Sequence, residues 1–197
     1  MRMRDCNVTP NGPKDSEGQR AGQAKACEVK VCRIDSPRDS AENTRLNSMH
    51  MDPNEETLIL IKPDTLERGL VGEVLRRFES TGLRIRNIRY VCPDLEKVET
   101  HYADLKARNP RAFDRNTRYL AGKNAIAVVL SGVKAITKVR TLIGSTEPAA
   151  APPGTIRGDL SSDTIALADA EDRGLFNLVH AADSPDSARR EIEHWFH

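Results

Sequence analysis

A histidine and a downstream glutamate near the end of the chain have the types and spacing for covalent catalysis. His180 follows Leu178 and Val179, a short apolar strand, and it precedes a turn and a predicted helix. Glu191 falls on the apolar stripe of that helix, where a carboxylate is costly without a partner. A carboxylate in reach of an imidazole fixes its tautomer and makes the other ring nitrogen nucleophilic. From this segment alone, a polar turn histidine and an edge carboxylate are an equal alternative.

Several polar side chains at the ends of other predicted elements suit a polyphosphate ligand. A guanidinium group forms paired hydrogen bonds with phosphate oxygens, and a lysine supplies a compact positive charge. Taken singly, each residue has an ordinary alternative, because a lysine after a strand is usually solvated and a helix-edge arginine usually pairs at the surface. As a set that converges on one histidine they predict a phosphate site; the members are Lys62, Arg140, Thr146, Arg157 and Asn177.

Four strands are predicted to carry these residues. Residues 57–61 and 125–130 are continuous apolar runs, as is typical of strands in the centre of a sheet. Residues 83–92 alternate between apolar and polar types, with a change of phase near Asn87 where a β-bulge is expected. The fourth strand is the short apolar run before His180.

The helices and the order of the elements predict the fold class. Apolar periodicity predicts helices at residues 69–80 and 133–143, and another after Ser184. The order β-α-β-(α)-β-α-loop-β-α predicts an α+β, ferredoxin-like split βαβ fold with a four-stranded antiparallel sheet. Its first and third strands would be central, and its helices would cover one face. The long connection from residue 145 to 174 is expected to be a polar surface excursion that rejoins the site at Asn177.

Length and composition limit the remaining possibilities. A chain of 197 residues fits one domain plus an appendage, and 30 basic against 29 acidic residues give no excess charge for nucleic acid or a membrane. The longest apolar runs are strand-length, far below the roughly 20 residues of a membrane-spanning helix. Four cysteines are too few for a disulfide framework, so we expect a cytoplasmic protein. Cys27 and Cys32 are spaced like weak metal ligands, but no second pair follows, so no protein metal site is expected.

Residues 1–54 differ in composition from residues 55–197. They contain no aromatic residue and almost no periodic apolar pattern, since the first aromatic residue of the chain is Phe78. Such a segment cannot bury enough surface to offset the entropy of ordering, so a disordered tail is predicted. The alternative is a misread extension, with the biological start at Met49 or Met51.

Several motifs, in their order along the chain, resemble the nucleoside diphosphate kinase family. The resemblance spans about residues 56–196. The Pro-Gly-Thr-Ile-Arg-Gly-Asp run and the histidine turn are specific together, whereas Lys-Pro-Asp alone is weak. The motifs are Lys62-Pro63-Asp64, Arg68-Gly69-Leu70, His101-Tyr102, Lys138-Val139-Arg140, Gly144-Ser145-Thr146-Glu147-Pro148, Pro153-Gly154-Thr155-Ile156-Arg157-Gly158-Asp159 and Asn177-Leu178-Val179-His180.

The resemblance implies an activity and a role for each matching residue. The family transfers the γ-phosphate of a nucleoside triphosphate, such as ATP, to a nucleoside diphosphate by a ping-pong mechanism through a phosphohistidine. Mg²⁺ is bound with the nucleotide, and the proteins are homo-oligomers, either tetramers or hexamers. By motif position His180 is the nucleophile, Glu191 orients it, and Tyr102 lines the site. Lys62 contacts the transferred phosphate and the ribose. Phosphates are held by Arg140, Thr146 and Arg157, the ribose by Asn177, and the base is assigned to Phe113 beside Ala112.

Three departures from the family pattern keep alternatives open. Ala182 stands where the family usually has a serine, Phe176 stands where an arginine is common, and the stretch from 158 to 177 is longer than usual. A catalytically weak homologue that acts as a nucleotide-binding or scaffold protein is therefore one alternative. A small-ligand or nucleic-acid-binding domain with an incidental histidine is another, but three Tyr, four Phe and one Trp argue against a stacking surface for nucleic acid.

Overall fold

The computed structural model describes residues 55–197, and the predicted tail at residues 1–54 lies outside the described residues. Four strands form one antiparallel sheet in the order β2-β3-β1-β4. β1 (Glu55–Ile61) and β3 (Ala125–Gly132) are central, while β2 (Arg84–Val91) and β4 (Val179–Ala181) are the edges. The predicted ferredoxin-like sheet, with its first and third strands in the centre, is confirmed.

The helices connect these strands and supply the layers of the fold. Two precede β2, three lie between β2 and β3, and α9 ends the chain after β4. A 3₁₀ turn at Pro148–Ala150 follows α6. The helices are α1 (Pro63–Glu67), α2 (Val71–Glu79), α3 (Leu95–His101), α4 (Ala103–Arg108), α5 (Pro110–Leu120), α6 (Ala135–Ile143), α7 (Ile156–Leu160), α8 (Ile165–Ala170) and α9 (Pro185–Phe196).

Helices cover both faces of the sheet, so the prediction that they cover one face is wrong. Ile59 and Ile61 of β1 pack in one apolar cluster with residues of α2 and α6. Leu58 and Leu60 point to the opposite face and pack in a second cluster with residues of α3, α5 and α9, among them Trp195. All four β1 side chains are fully buried. A continuous apolar strand needs cover on both sides, which is why the second helical layer is required.

The irregularity predicted in β2 is present. Ile85 pairs with Leu130, whereas Asn87 pairs with the adjacent Val129, so the register shifts between Ile85 and Asn87. A bulge of this kind adds one residue to one strand and bends it. The predicted phase change near Asn87 is thus confirmed.

The long connection between α6 and β4 contains regular structure that the sequence analysis did not predict. Thr155 caps α7, because its Oγ1 accepts a hydrogen bond from the Gly158 N–H (3.1 Å). Thr164 caps α8 in the same way, accepting from the Leu167 N–H (3.1 Å). Both helices are short, which explains why apolar periodicity gave no signal for them. No helix within residues 55–197 combines the length and apolar character needed to cross a bilayer.

Candidate active site

β4 and α9 bring the predicted histidine and glutamate together. Ser184 caps α9 by accepting from the Ser187 N–H (3.2 Å), and Pro185 is the first helical residue. The helix then carries Glu191 back over the end of β4, where its Oε2 lies 2.8 Å from Nε2 of His180. When Glu191 is ionised its carboxylate can only accept, and Nε2 of His180 then carries the proton. The lone pair of Nδ1 is therefore available to attack an electrophile.

Burial and charge keep the imidazole neutral. Burial is the main reason why the pKa of His180 falls to about 3, and the nearby cations Lys62, Arg157 and Arg140 lower that pKa further. Burial also raises the pKa of the Glu191 carboxyl to about 7. A neutral imidazole is the nucleophilic form, and the three cations are the groups that would attract a phosphate chain.

An open cavity of about 880 Å³ lies beside the histidine. His180, Glu191, Tyr102 and Arg140 line it, so four of the predicted site residues share one space. Arg140 also donates through Nη1 to the carbonyl of Ala181 (3.4 Å). The cavity has further positive groups that sequence reasoning missed, Arg108 and Arg190, which no motif distinguished from ordinary helix-surface arginines.

Lys62, Asn177 and Thr146 do not line this cavity, but hydrogen bonds join them to one another. The Nζ of Lys62 donates to Oδ1 of Asn177 (2.7 Å), and the Nδ2 of Asn177 donates to the Thr146 carbonyl (2.9 Å). Lys62 is buried, and burial lowers its pKa to about 8, so it still carries a proton at neutral pH. The network fixes the direction of the lysine before any ligand arrives.

Arg157 holds the backbone of the site. Its guanidinium donates to the carbonyl oxygens of Gly144 (3.0 Å), Ser145 (3.0 Å), Asn177 (3.1 Å) and Val179 (2.6 Å). Burial lowers its pKa to about 10, so the group stays charged at neutral pH. One side chain thus ties the end of α6 to the segment that leads into β4. The contact of Arg157 with phosphate stays a prediction.

Gly158 allows the helix that carries Arg157 to lie close to its own N-terminal loop. A Cβ at this position would overlap the carbonyl oxygen of Pro152. This close approach is the physical reason for a glycine inside the Thr-Ile-Arg-Gly-Asp run.

Phe113 does not line the cavity described above. The residue is 3 % exposed, and the Nζ of Lys106 lies over its ring at 5.1 Å from the centroid. A ring so buried has little free surface for stacking on a base. Its assignment as a base contact stays a prediction.

Ala182 and Phe176, which depart from the family pattern, both pack against neighbouring side chains. Ala182 is buried against Ile136 and Ala188, so it offers no hydroxyl to Glu191. Phe176 is partly exposed and lies beneath the guanidinium of Arg173 (4.2 Å). That guanidinium pairs with Asp163, so it does not occupy the place of a site arginine.

His101 is close to His180, although the sequence analysis gave it no role in the site. Its ring lies edge-on to His180, with centroids 4.5 Å apart. The indole N–H of Trp195 donates to its Nδ1 (3.2 Å), which places the proton on Nε2, and that nitrogen is buried without a hydrogen-bond partner among residues 55–197. The signal that could have found it is its place directly before Tyr102 in the chain.

His101, His180 and Glu191 could in principle hold a metal ion. One ligand atom of each lies within 4.8 Å of the others. The Trp195 N–H argues against a metal there, because it occupies Nδ1 of His101 and leaves a proton on Nε2. Mg²⁺ in particular prefers oxygen ligands. The chemistry of the donor set therefore fits a hydrogen-bonded cluster better than a metal centre.

Comparisons with known proteins agree with these observations. A family model described as "Nucleoside diphosphate kinase" matches residues 55–197. A nucleoside diphosphate kinase of Pyrobaculum aerophilum is 39% identical over 175 residues, covering 73% of this chain and 96% of that protein. One from Caldanaerobacter subterraneus is 40% identical over 142 residues, covering 72% and 94%. A solved transition state mimic of nucleoside-diphosphate kinase from Borrelia burgdorferi, with bound vanadate and ADP, matches with a TM-score of 0.71 and 33% identity, covering 73% and 88%.

Proposed function

The chain belongs to the nucleoside diphosphate kinase family, and we propose that it transfers the γ-phosphate of a nucleoside triphosphate to a nucleoside diphosphate through a phosphohistidine on His180. It is a phosphotransferase of this family. The observation that supports the mechanism best is the hydrogen bond from His180 to Glu191 (2.8 Å), since it leaves Nδ1 available beside a cavity lined by arginines.

The first half-reaction is an attack by Nδ1 of His180 on the γ-phosphorus. The Nδ1–P bond forms while the bond from phosphorus to the β,γ-bridging oxygen breaks, and the nucleoside diphosphate leaves with that electron pair. The ring becomes positively charged, and the Glu191 carboxylate at Nε2–H stabilises this charge. In the second half-reaction a terminal phosphate oxygen of the acceptor diphosphate attacks the same phosphorus, and the electron pair of the N–P bond returns to Nδ1.

The surrounding residues would position the phosphates more than take part in bond changes. Phosphoryl transfer depends mainly on alignment and on neutralising charge. Lys62, held in place by Asn177, would contact the transferred phosphate and the ribose, and Asn177 would bind ribose hydroxyls. Tyr102 would lie beside the phosphohistidine. Phosphates would be bound by Arg140, Thr146 and Arg157. Mg²⁺ enters as part of the substrate, bound to phosphate oxygens of the nucleotide.

The remaining expectations concern the whole protein. We propose a homo-oligomer, because β2 is an unpaired edge of the sheet within residues 55–197 and exposes Ile88 (40 %) and Tyr90 (60 %). Tetramers and hexamers are both consistent with such an edge. A catalytic domain at residues 55–197 with a tail at residues 1–54, and a cytoplasmic location, stay predictions from composition.

Labelling of the enzyme tests the mechanism. Incubation with γ-³²P-labelled ATP should give a phosphoenzyme that is labile to acid and that passes its label to a nucleoside diphosphate. His180→Ala should abolish both, whereas His197→Ala, which removes an exposed imidazole at the end of α9, should leave both intact. Double-reciprocal plots with two nucleotides should be parallel. Intersecting lines, or phosphate exchange by the His180→Ala protein, would overturn the assignment.

A further inference from the structure

The residue two positions before His180 has a strained backbone conformation. Leu178 has φ +67°, a region that a branched side chain rarely adopts. The Val179 N–H donates to the carbonyl of Asn177 (2.7 Å), which closes a γ-turn around Leu178. A γ-turn with positive φ is the rare and strained form. The turn directly precedes β4, which has only three residues, so its geometry sets where the histidine lies.

The segment from Lys62 to Thr65 holds this turn in place. It forms hydrogen bonds with both the N–H and the carbonyl of Leu178. The Leu178 N–H donates to Oδ2 of Asp64 (3.0 Å). The Leu178 carbonyl accepts from Oγ1 of Thr65 (2.7 Å) and from the Lys62 N–H (2.8 Å). Leu178 and Thr65 are fully buried, and Asp64 is 5 % exposed. A strained conformation persists only where its surroundings over-determine it, and here three separate hydrogen bonds do so.

Asp64 is itself fixed by a second partner. The hydroxyl of Tyr119 donates to Oδ1 of Asp64 (2.8 Å), and the Asp64 N–H donates back to that hydroxyl (3.0 Å). The two carboxylate oxygens therefore bind different elements, because Oδ1 accepts from Tyr119 on α5 and Oδ2 accepts from the strained turn. The Oδ1 contact with Tyr119 stabilises the fold, whereas the Oδ2 contact with Leu178 can set the position of His180.

We propose that Asp64 is a positioning residue for phosphoryl transfer, because it keeps Leu178 in the strained γ-turn that aims His180 at the phosphate. The proposal rests on the proposed function of His180. Without an acceptor for its N–H, Leu178 relaxes toward negative φ, the peptide between Leu178 and Val179 rotates, and β4 carries His180 away from its alignment. Asp64 then contributes to the rate of transfer without contacting the nucleotide.

The two oxygen contacts of Asp64 allow a matched test. Asp64→Ala should slow phosphoenzyme formation in single turnover by about 10²-fold, the order expected for a displacement near 1 Å, with the Kd for ADP nearly unchanged. Tyr119→Phe removes both hydrogen bonds between its hydroxyl and Asp64, at Oδ1 and at the N–H, but it leaves the Oδ2 contact with Leu178. It should therefore destabilise the fold while the rate stays near wild type. Asp64→Asn retains an acceptor for the Leu178 N–H and should restore most of the rate. Equal rates in Asp64→Ala and Tyr119→Phe would overturn the proposal.

A second variant and a second readout keep the test decisive. Should Asp64→Ala fail to fold, Thr65→Val carries the test, because it removes one donor to the Leu178 carbonyl at nearly constant volume. A several-fold slower rate in Thr65→Val supports the proposal, and a wild-type rate overturns it. Crystal structures of the variants give φ of Leu178, and this readout does not depend on an activity measurement. If the wild-type protein formed no phosphohistidine, the proposed function would fail, while a φ that stays positive in Asp64→Ala would refute the role of Asp64 separately.

Discussion

At the scale of single residues, the proposed reaction makes the reactivity of His180 depend on the protonation of the Glu191 carboxyl. Glu191 must be ionised to accept from Nε2 of His180. When Glu191 is protonated, its O–H donates to Nε2, and the ring proton moves to Nδ1, the nitrogen that should attack. Because burial raises the pKa of Glu191 to about 7, this change falls in the physiological range. In the proposed mechanism, the pH dependence of His180 therefore comes from the titration of Glu191 and not from the imidazole, whose pKa is far lower.

The rate of phosphoenzyme formation should therefore rise with pH up to about 7. Below that value the ionised fraction of Glu191 falls about tenfold per pH unit, and the rate should fall with it. Glu191→Gln cannot ionise, so its rate should be lower by about 10²-fold and flat between about pH 5 and pH 7. Rapid-quench single-turnover measurements give both profiles. An unchanged pH profile in Glu191→Gln would show that another group titrates.

A site residue could be predicted from the sequence where its type and local spacing indicate a role. It could not be predicted where its role depends on a contact with a distant part of the chain. His180 and Glu191 were found because a carboxylate on an apolar helix face requires a partner. His101 was missed because its closeness to His180 comes from the packing of α3 against α9, and Asp64 was seen only as part of a motif. Contacts between residues more than a hundred positions apart, such as Asp64 with Leu178, leave no local pattern.

At the scale of elements, ion pairs attach the connection between α6 and β4 to the rest of the domain. Arg115 of α5 pairs with Asp169 of α8, and Arg118 pairs with Asp172 (2.9 Å). Within the connection, Arg173 forms a two-point contact with Asp163. The excursion is therefore an ordered part of the domain that packs next to α5.

Asp163→Ala should lower the free energy of unfolding without impairing the chemical step. Its carboxylate accepts from Arg173 (2.6 and 2.9 Å) and from the Phe176 N–H (2.8 Å), and its side chain is 8 % exposed. The expected loss is about 1–3 kcal/mol, reduced by the partial exposure of Arg173. Hydrogen bonds from Arg173 lower the pKa of Asp163, so this contribution is present at neutral pH and disappears on acidification through that lowered pKa.

Chemical denaturation and single-turnover phosphorylation of the same preparations measure the two effects. Glu193→Ala is the control, since its side chain is 76 % exposed and its removal should change the unfolding free energy by about 0.5 kcal/mol or less. A collapse of the phosphorylation rate in a stable Asp163→Ala protein would mean that the connection takes part in catalysis.

The elements themselves were predictable where apolar residues repeat over a long run. β1 and β3 are continuous apolar strands, and α2 and α6 have clear helical periodicity, so all four were identified within a few residues. α7 and α8 have five and six residues, too few for a period, and they depend on threonine caps and on ion pairs to other elements. Cover on both faces is required by the buried apolar run in β1, but it was not predicted, because most helices of the second layer are polar and have few apolar residues.

At the scale of the whole molecule, the described domain supplies every residue of the proposed reaction. The network from Lys62 to Thr146, the His180–Glu191 pair and the arginines all lie within residues 55–197. The apolar residues of β1 are already fully buried by helices of the same domain. Catalysis and stability should both therefore belong to this domain.

Deleting residues 1–50 should leave the rate of phosphate transfer and the melting temperature nearly unchanged. The deleted segment has no aromatic residue and little periodic apolar pattern, so it has little surface with which to pack on the domain. The full-length and shortened proteins are compared by differential scanning calorimetry and by steady-state transfer between two nucleotides, with the oligomeric state of each measured by sedimentation. For a domain of this size, a fall of about 2–4 °C corresponds to roughly 1 kcal/mol. A fall larger than that, at an unchanged oligomeric state, would mean that the segment binds to the domain and stabilises it.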